Sequence, residues 1–172
     1  MHIAPDFPSR DDVRRLLDEH LTDMFATSPP ESVHALDHSA LLAPSITFWT
    51  ARDDDGTLLG CGALSELALP ADALQGEIKS MRTAAQARGR GVASAMLDVV
   101  LTEAKRREYS RVSLETGTQD YFAPARRLYA RHGFQECGPF GDYSLDPNSV
   151  FMTLELPEPQ PAEQPAEQPA ER

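Results

Sequence analysis

Three groups of residues in this 172-residue chain have types and spacings that could do chemistry. The first is Gln86-Ala-Arg88-Gly89-Arg90-Gly91. Arg82 lies shortly before it, and an apolar stripe of Val92, Met96, Val99, Val100 and Ala104 lies directly behind it. Glycine lets a backbone take conformations closed to other residues and come close to a ligand. The first amides of a helix lack carbonyl partners, and the helix dipole is positive there. A helix beginning near residue 90 therefore offers an anion a seat, and Arg88 and Arg90 add charge. Pyrophosphate fits that combination. A solvated glycine turn is the plain alternative, because Gly-x-Gly before a helix is a weak signal on its own.

The second group is the polar segment "GEIKSMRT", residues 76–83. Strand alternation puts Glu77, Lys79, Met81 and Thr83 on one face and Ile78, Ser80 and Arg82 on the other. A central strand covered on both sides normally reads as an apolar run, so a strand this polar borders a cleft. Glu77 is placed to act there as a general base through a water. A pair with Lys79 on the same face would make it less basic, and both readings stand. The third group is Tyr129 in "ARRLYARHGF", residues 125–134. On residue type alone, a helical tyrosine is more often a core aromatic than an acid.

The elements that must position these groups follow from hydrophobic period. Val13, Leu16, Leu17, Leu21, Met24 and Phe25 predict an amphipathic helix, with Ser9 and Asp12 as a capping-box-like start. Pro29 and Pro30 predict a short second helix over 31–36. Two β-rich runs around Asp54-Asp55-Gly56 predict a hairpin, and 76–83 continues it as an antiparallel strand. A helix at 90–107, a strand at 111–117, a helix stopped by Gly133 and strands near 134–138 and 150–156 complete the order. With a short strand at His2–Ala4 this gives β-α-α-β-β-β-α-β-α-β-β. The class is α+β: a mixed, mostly antiparallel sheet with one strand-helix-strand crossover. Residues 1–156 read as one domain, and "PEPQPAEQPAEQPAER", 157–172, as a disordered tail with too little apolar surface to offset its ordering entropy.

Composition narrows the function. A formal net charge of −11 argues against general nucleic-acid binding, which runs on surplus Lys and Arg. It suits a small-molecule ligand, a cationic one among them, and acidic surface also serves solubility alone. No apolar run approaches the roughly 20 residues of a membrane span. "MHIAPDFPSRDD" has no basic-then-apolar leader pattern. Cys61 and Cys137 have no metal-like spacing and read as reduced thiols of a cytoplasmic protein. Two phosphate-binding patterns also fall away. A dinucleotide fingerprint finds Ser94 where its third glycine belongs, although Glu115 sits near the ribose-binding spacing. A Walker loop needs Gly-Lys-Ser/Thr, which is absent.

Gln86-x-x-Gly89-x-Gly91 at a helix start after a β-meander resembles the acyl-CoA loop of the GNAT family of N-acetyltransferases. "ARRLYARHGF" resembles that family's second signature, and the element order agrees over about residues 1–156. "SPPESVHALD", "SLETG", "YFAPARRLY" and "DPNSVFMTLEL" resemble a bacterial subgroup of that family. The resemblance implies the GNAT fold, with helices on both faces of the sheet. It also implies acetyl-CoA as acyl donor, no metal, and direct transfer to the amine of a small molecule or amino acid derivative. The pantetheine arm would lie between the strands at 76–83 and 111–115. Amides near Met81 and Thr83 would bind it, with Arg82 and Gln86 close by. The pyrophosphate would sit on amides from Arg88 to Ala93, that is on Arg88, Gly89, Arg90, Gly91, Val92 and Ala93.

Tyr129 matches the family's usual acid for the departing thiolate. Many relatives carry a polar residue such as Asn before the last helix; Phe122 stands there, and Gln119 is the candidate substitute. For the acceptor, His34 and Asp120 are further base candidates. Glu31 could bind a cation, and Tyr143, with Tyr121 and Phe122, could wall the pocket. Other readings remain open: an acyl-CoA-binding sensor that transfers nothing, or an enzyme acting on protein amines. A homodimer fits the fold, but no stretch marks a dimer surface.

Overall fold

The computed structural model describes residues 1–67 and 74–157. The tail expected at 157–172 lies outside the described residues, apart from Pro157. Seven strands form one sheet: β1 His2–Pro5, β2 Ile46–Arg52, β3 Leu58–Leu67, β4 Gln75–Thr83, β5 Arg111–Gly117, β6 Gln135–Cys137 and β7 Ser149–Glu155. The helices are α1 Asp11–Thr27, α2 Val92–Arg106 and α3 Ala123–Arg131. The strand order is β1-β2-β3-β4-β5-β7-β6, with β4–β5 parallel and the other pairs antiparallel. The last strand thus inserts between β5 and β6. No described helix is long and apolar enough to cross a membrane.

Two expectations about the N-terminal half are corrected. The helix over 31–36 is absent: Pro30–Ser32 makes one 3-10 turn, Val33 is extended, and a second 3-10 turn follows at Ala40–Leu42. A segment this short cannot meet the cost of helix nucleation. Asp37 also offers its carboxylate to the Ala40 amide at 2.8 Å, which starts a turn there instead. The observed order is therefore β-α-β-β-β-α-β-α-β-β. The capping box does not form either, since Asp12 binds the Val13 amide (2.9 Å) and Arg52 (2.6 Å). Asp11 and Asp12 still favour the positive end of the α1 dipole.

The two long helices cover opposite faces. Val13, Leu16 and Leu17 of α1 and Val92, Met96, Leu97 and Val100 of α2 are all buried in one core. Each such side chain contributes about 1.5–3 kcal/mol relative to exposure. Gly62 on β3 lets α2 come close. A Cβ there would stand 2.6 Å from the Met81 sulfur and 2.9 Å from Met96 Cγ.

The strand alternation expected along 76–83 breaks in the middle. Lys79 pairs with Ala63 but Arg82 pairs with Cys61, so Ser80 and Met81 together oppose Gly62 in a β-bulge. Ser80 takes the left-handed φ of 52°. Cross-strand partners share a face. Glu77, Lys79 and Arg82 therefore look toward α1, whereas Ile78 and Thr83 look toward α2. Met81 also reaches Gly62 and Met96 on the α2 side. Glu77 does not share its face with Met81 and Thr83, as strict alternation predicts.

Candidate functional site

Strands β4 and β5 are paired only at Gln75–Arg111, Gly76–Val112 and Glu77–Ser113. Beyond Glu77 they part. β5 continues along β7 to Gly117, while β4 stays on β3 to Thr83. From Ile78 onward the β5-side edge of β4 has no strand against it, so its backbone groups are free to meet a ligand. Two cavities fill this opening.

The larger, about 590 Å³, is bounded by Met81, Arg82 and Thr83 on one side and by the turn into α2 on another. Gly89 and Gly91 have φ of +75° and +78°, and a Cβ on either would meet nothing within 4 Å. These glycines are required for their left-handed backbone, and the ground above them is open. Gly91 caps α2 with no side-chain partner, so the amides of Val92, Ala93 and Ser94 stay available. Arg88 lines this cavity. A pyrophosphate suits that donor set.

Other residues expected to hold acyl-CoA are engaged elsewhere or lie outside this cavity. Arg90 turns away to Asp53 on the β2–β3 turn, at 3.0 Å. Gln86 is exposed on the 3-10 turn Ala85–Ala87 and does not line the cavity. Arg82 lines it, but its guanidinium is engaged by Asp23 (2.6 Å) and Tyr121 (2.9 Å). Gln119 accepts a hydrogen bond from Ser28 (3.4 Å) and donates one to Asn148 (3.3 Å), so its amide knits loops together outside both cavities.

The smaller cavity, about 100 Å³, carries the carboxylates Glu77 and Glu115. Lys79 donates to the Tyr143 hydroxyl (2.5 Å) and pairs with Glu77 (2.8 Å), while Tyr143 donates to Glu77 (2.5 Å). Burial and the Glu77 carboxylate hold the Tyr143 hydroxyl well above the usual phenol range. The ring of His34 meets that of Tyr143 edge-on at 5.1 Å. Glu115, on β5, forms no ion pair among the described residues. Burial pushes its carboxyl above the ordinary range against the pull of the Ser149 hydroxyl, His34 and Lys79. Glu31 and Asp120 are exposed and line neither cavity.

The two cavities meet. His20, Met81, Phe122, Ala125 and Tyr129 line both. Tyr129 is 6% exposed, packs on Phe134 at 5.7 Å, and its hydroxyl has no hydrogen-bond partner among the described residues. Burial alone drives its hydroxyl far above the usual value. It therefore stays protonated at neutral pH and holds a proton to give. Burial, followed by the Arg82 charge, lowers His20 from 6.5 to about 4, so its imidazole is neutral.

A sheet splayed beside a helix start, with a tyrosine where two cavities meet, is one architecture that acyl transfer uses, and the sequence decides the matter. The model of the acetyltransferase (GNAT) family matches residues 12–134. The chain belongs to the GNAT acetyltransferase family. It is an acyltransferase. The uncharacterised N-acetyltransferase YsnE of Bacillus subtilis is 52% identical over 156 residues, covering 91% of this chain and all of that one. The IAA acetyltransferase of Azospirillum brasilense is 39% identical, covering 90% and 97%. Among solved structures, a Klebsiella pneumoniae chain named for acyl-CoA N-acyl transfer superposes with a TM-score of 0.74. It is 27% identical and covers 90% of this chain and 97% of that one.

Within this GNAT domain, the sequence did not point to Glu115, His20 or Arg131 as cleft residues. Arg131 adds a second cation to the wall that holds Arg88. For Glu115 a signal existed, because a carboxylate at the end of a buried parallel strand needs a reason to be there. His20 lies among the polar residues of α1 and carried none.

Proposed function

We propose that this enzyme moves an acetyl group from acetyl-CoA directly to the primary amine of a small cationic molecule or amino acid derivative. The observation that carries this reading is the meeting of the two cavities at Tyr129. One cavity is lined by the turn into α2, three arginines and apolar side chains, which suits phosphate and pantetheine. The other is lined by the carboxylates Glu77 and Glu115, which suits an ammonium group. Bound acetyl-CoA supplies the activated acyl carbonyl.

The residues then divide the work. Gly89, Gly91, Val92 and Ala93 offer amides to the pyrophosphate, with Arg88 beside them. The free edge of β4 at Met81–Thr83 offers N–H groups where carbonyl charge develops, and such a donor is typically worth ~3 kcal/mol of barrier. An acceptor amine of lysine-like pKa, about 10.4, must lose a proton before it attacks. Glu115 takes that role in preference to Glu77, because its raised affinity for a proton comes without a lysine partner. Glu77 stays tied to Lys79 and Tyr143 and sets the shape of the acceptor end. As the new N–C bond forms and the C–S bond breaks, Tyr129 gives its proton to the departing sulfur. Cys61 and Cys137 are free thiols, which fits a reducing cytoplasm.

The test is calorimetric titration of acetyl-CoA, followed by thiol release with a panel of acceptors: polyamines, amino acid amides and, as a non-amine, IAA. Saturable binding with amine-dependent thiol release is the expected result. Binding without release for any acceptor would favour an acyl-CoA sensor, and no binding would overturn the assignment.

A further inference from the structure

One closed set of contacts bridges the cleft without belonging to the reacting groups. Arg82 follows the β4 bulge, Asp23 lies on α1, and Tyr121 lies in the turn Asp120–Phe122 that follows β5. Arg82 Nη2 donates to Asp23 Oδ2 at 2.6 Å, and Nη1 donates to the Tyr121 hydroxyl at 2.9 Å. The same hydroxyl donates to Asp23 Oδ2 at 2.8 Å and closes the triangle. The Arg82 side chain is only 9% exposed, and its Nε is buried without a partner. Burying a guanidinium in this way is costly, and an ion pair so placed is weak evidence for stability. Its placement is more informative.

The sheet holds β4 and β5 together only as far as Glu77 and Ser113. Beyond that point no strand pairing sets the width of the gap. Arg82 and Asp23 stand on its β4 side and Tyr121 on its β5 side, so the triangle is a strut across the mouth. Its neighbours are the residues of the passage. Met81 precedes Arg82, and His20 is one helical turn before Asp23. Phe122 follows Tyr121, with rings edge-on at 4.9 Å, and all three neighbours line both cavities. We propose that the Arg82–Asp23–Tyr121 triangle is a positioning unit. It fixes the cleft width at the passage and so aligns the β4 edge with Tyr129 for acyl transfer. This rests on the acyl-transfer reading above.

Tyr121→Phe and Asp23→Asn test it, singly and together, at two positions exposed enough for the variants to fold. Arg82 and Tyr121 line the same cavity as the anion seat, but neither variant removes a seat amide or Arg88, so acetyl-CoA affinity should stay within about 3-fold by calorimetry. A misplacement of about 1 Å at a reacting centre can cost 100-fold, so kcat should fall 10- to 100-fold with the best acceptor of the panel. The double variant should lose little more than the worse single one, because both break one unit. Hydrogen exchange at 78–83 and 117–123 should quicken in the variants, and that readout needs no acceptor.

Three results would overturn the proposal: kcat within 2-fold of the parent, a loss confined to acetyl-CoA affinity, or additive losses from the two changes. Tyr121→Phe keeps the ring and the Arg82–Asp23 pair, so it remains decisive if Asp23→Asn proves unstable. A parent protein that releases no thiol would instead refute the acyl-transfer reading itself, whatever the exchange data say.

Discussion

The two cavities, proposed as the donor and acceptor ends of the cleft, are built from different materials. The donor end joins one continuous stretch, Met81 to Ala93, to side chains of α1, β3 and α3, and its Arg88 and Arg131 form no ion pair among the described residues. The acceptor end is mostly side chains from four distant segments: His34, Glu77 with Lys79, Glu115, and Tyr143. A phosphate chain common to every acyl-CoA can be met by amides whose positions the local fold dictates. An acceptor that differs between enzymes must be met by groups that can be exchanged without disturbing the sheet. The contrast separates a half-site set largely by local backbone from one assembled by tertiary contacts.

The sharpest way to break this comparison is at the shared boundary. Tyr129→Phe should lower kcat by about 100-fold or more, within the ~10²–10⁴ range of general acid catalysis, and leave acetyl-CoA binding nearly unchanged. Equal losses of kcat and binding would make Tyr129 a packing residue. Next in size, Glu115→Gln should reduce kcat/KM for the amine by about 100-fold while Lys79→Met changes it less. The reverse order would return the base to Glu77.

His20 borders both halves and reads acidity. Its folded pKa of about 4 lies below the unfolded value of 6.5, so the unfolded chain binds the proton first. The stability it supports is complete above pH 6.5 and is lost as pH falls from there toward 4, by up to about 3 kcal/mol. Denaturant unfolding at pH 7.5 and 4.5 should record the loss, and His20→Asn should shrink it.

The smallest expected effect sharpens the donor half. Arg88→Glu should weaken acetyl-CoA binding about 10-fold, because a charge beside the helix-start amides is reversed. Arg90→Glu should change it by less than about 2-fold, its charge being directed at Asp53. Equal effects in calorimetry would mean that Arg90 swings back to the ligand.

The residues legible beforehand follow the same division. The glycine turn into α2 was readable because Gly89, Gly91 and the apolar stripe of α2 lie within one turn-helix unit, where local backbone rules govern. The partner of each arginine was not readable. Arg82 meets Asp23 59 residues away and Arg90 meets Asp53 37 residues away, and sequence spacing carries no distance across a fold. The bulge at Ser80–Met81 was equally hidden. A polar strand looks the same with or without an extra residue, yet that residue moves Arg82 to the Glu77 face.

The sequence by itself determined the strands, the three long helices, the glycine turn before α2 and the tyrosine on α3, though not the 3-10 turns at Pro30–Ser32 and Ala40–Leu42. These depend on hydrophobic period, turn residues and helix ends, all of which act over a few neighbouring positions. The tertiary structure alone decided that β4 and β5 part after Glu77, that Lys79 captures Glu77 while Glu115 remains unpaired, and that β7 lies between β5 and β6. Those outcomes are set by which segments pack together and how deeply each charge is buried. That is a property of the assembled core and of no single stretch of the chain.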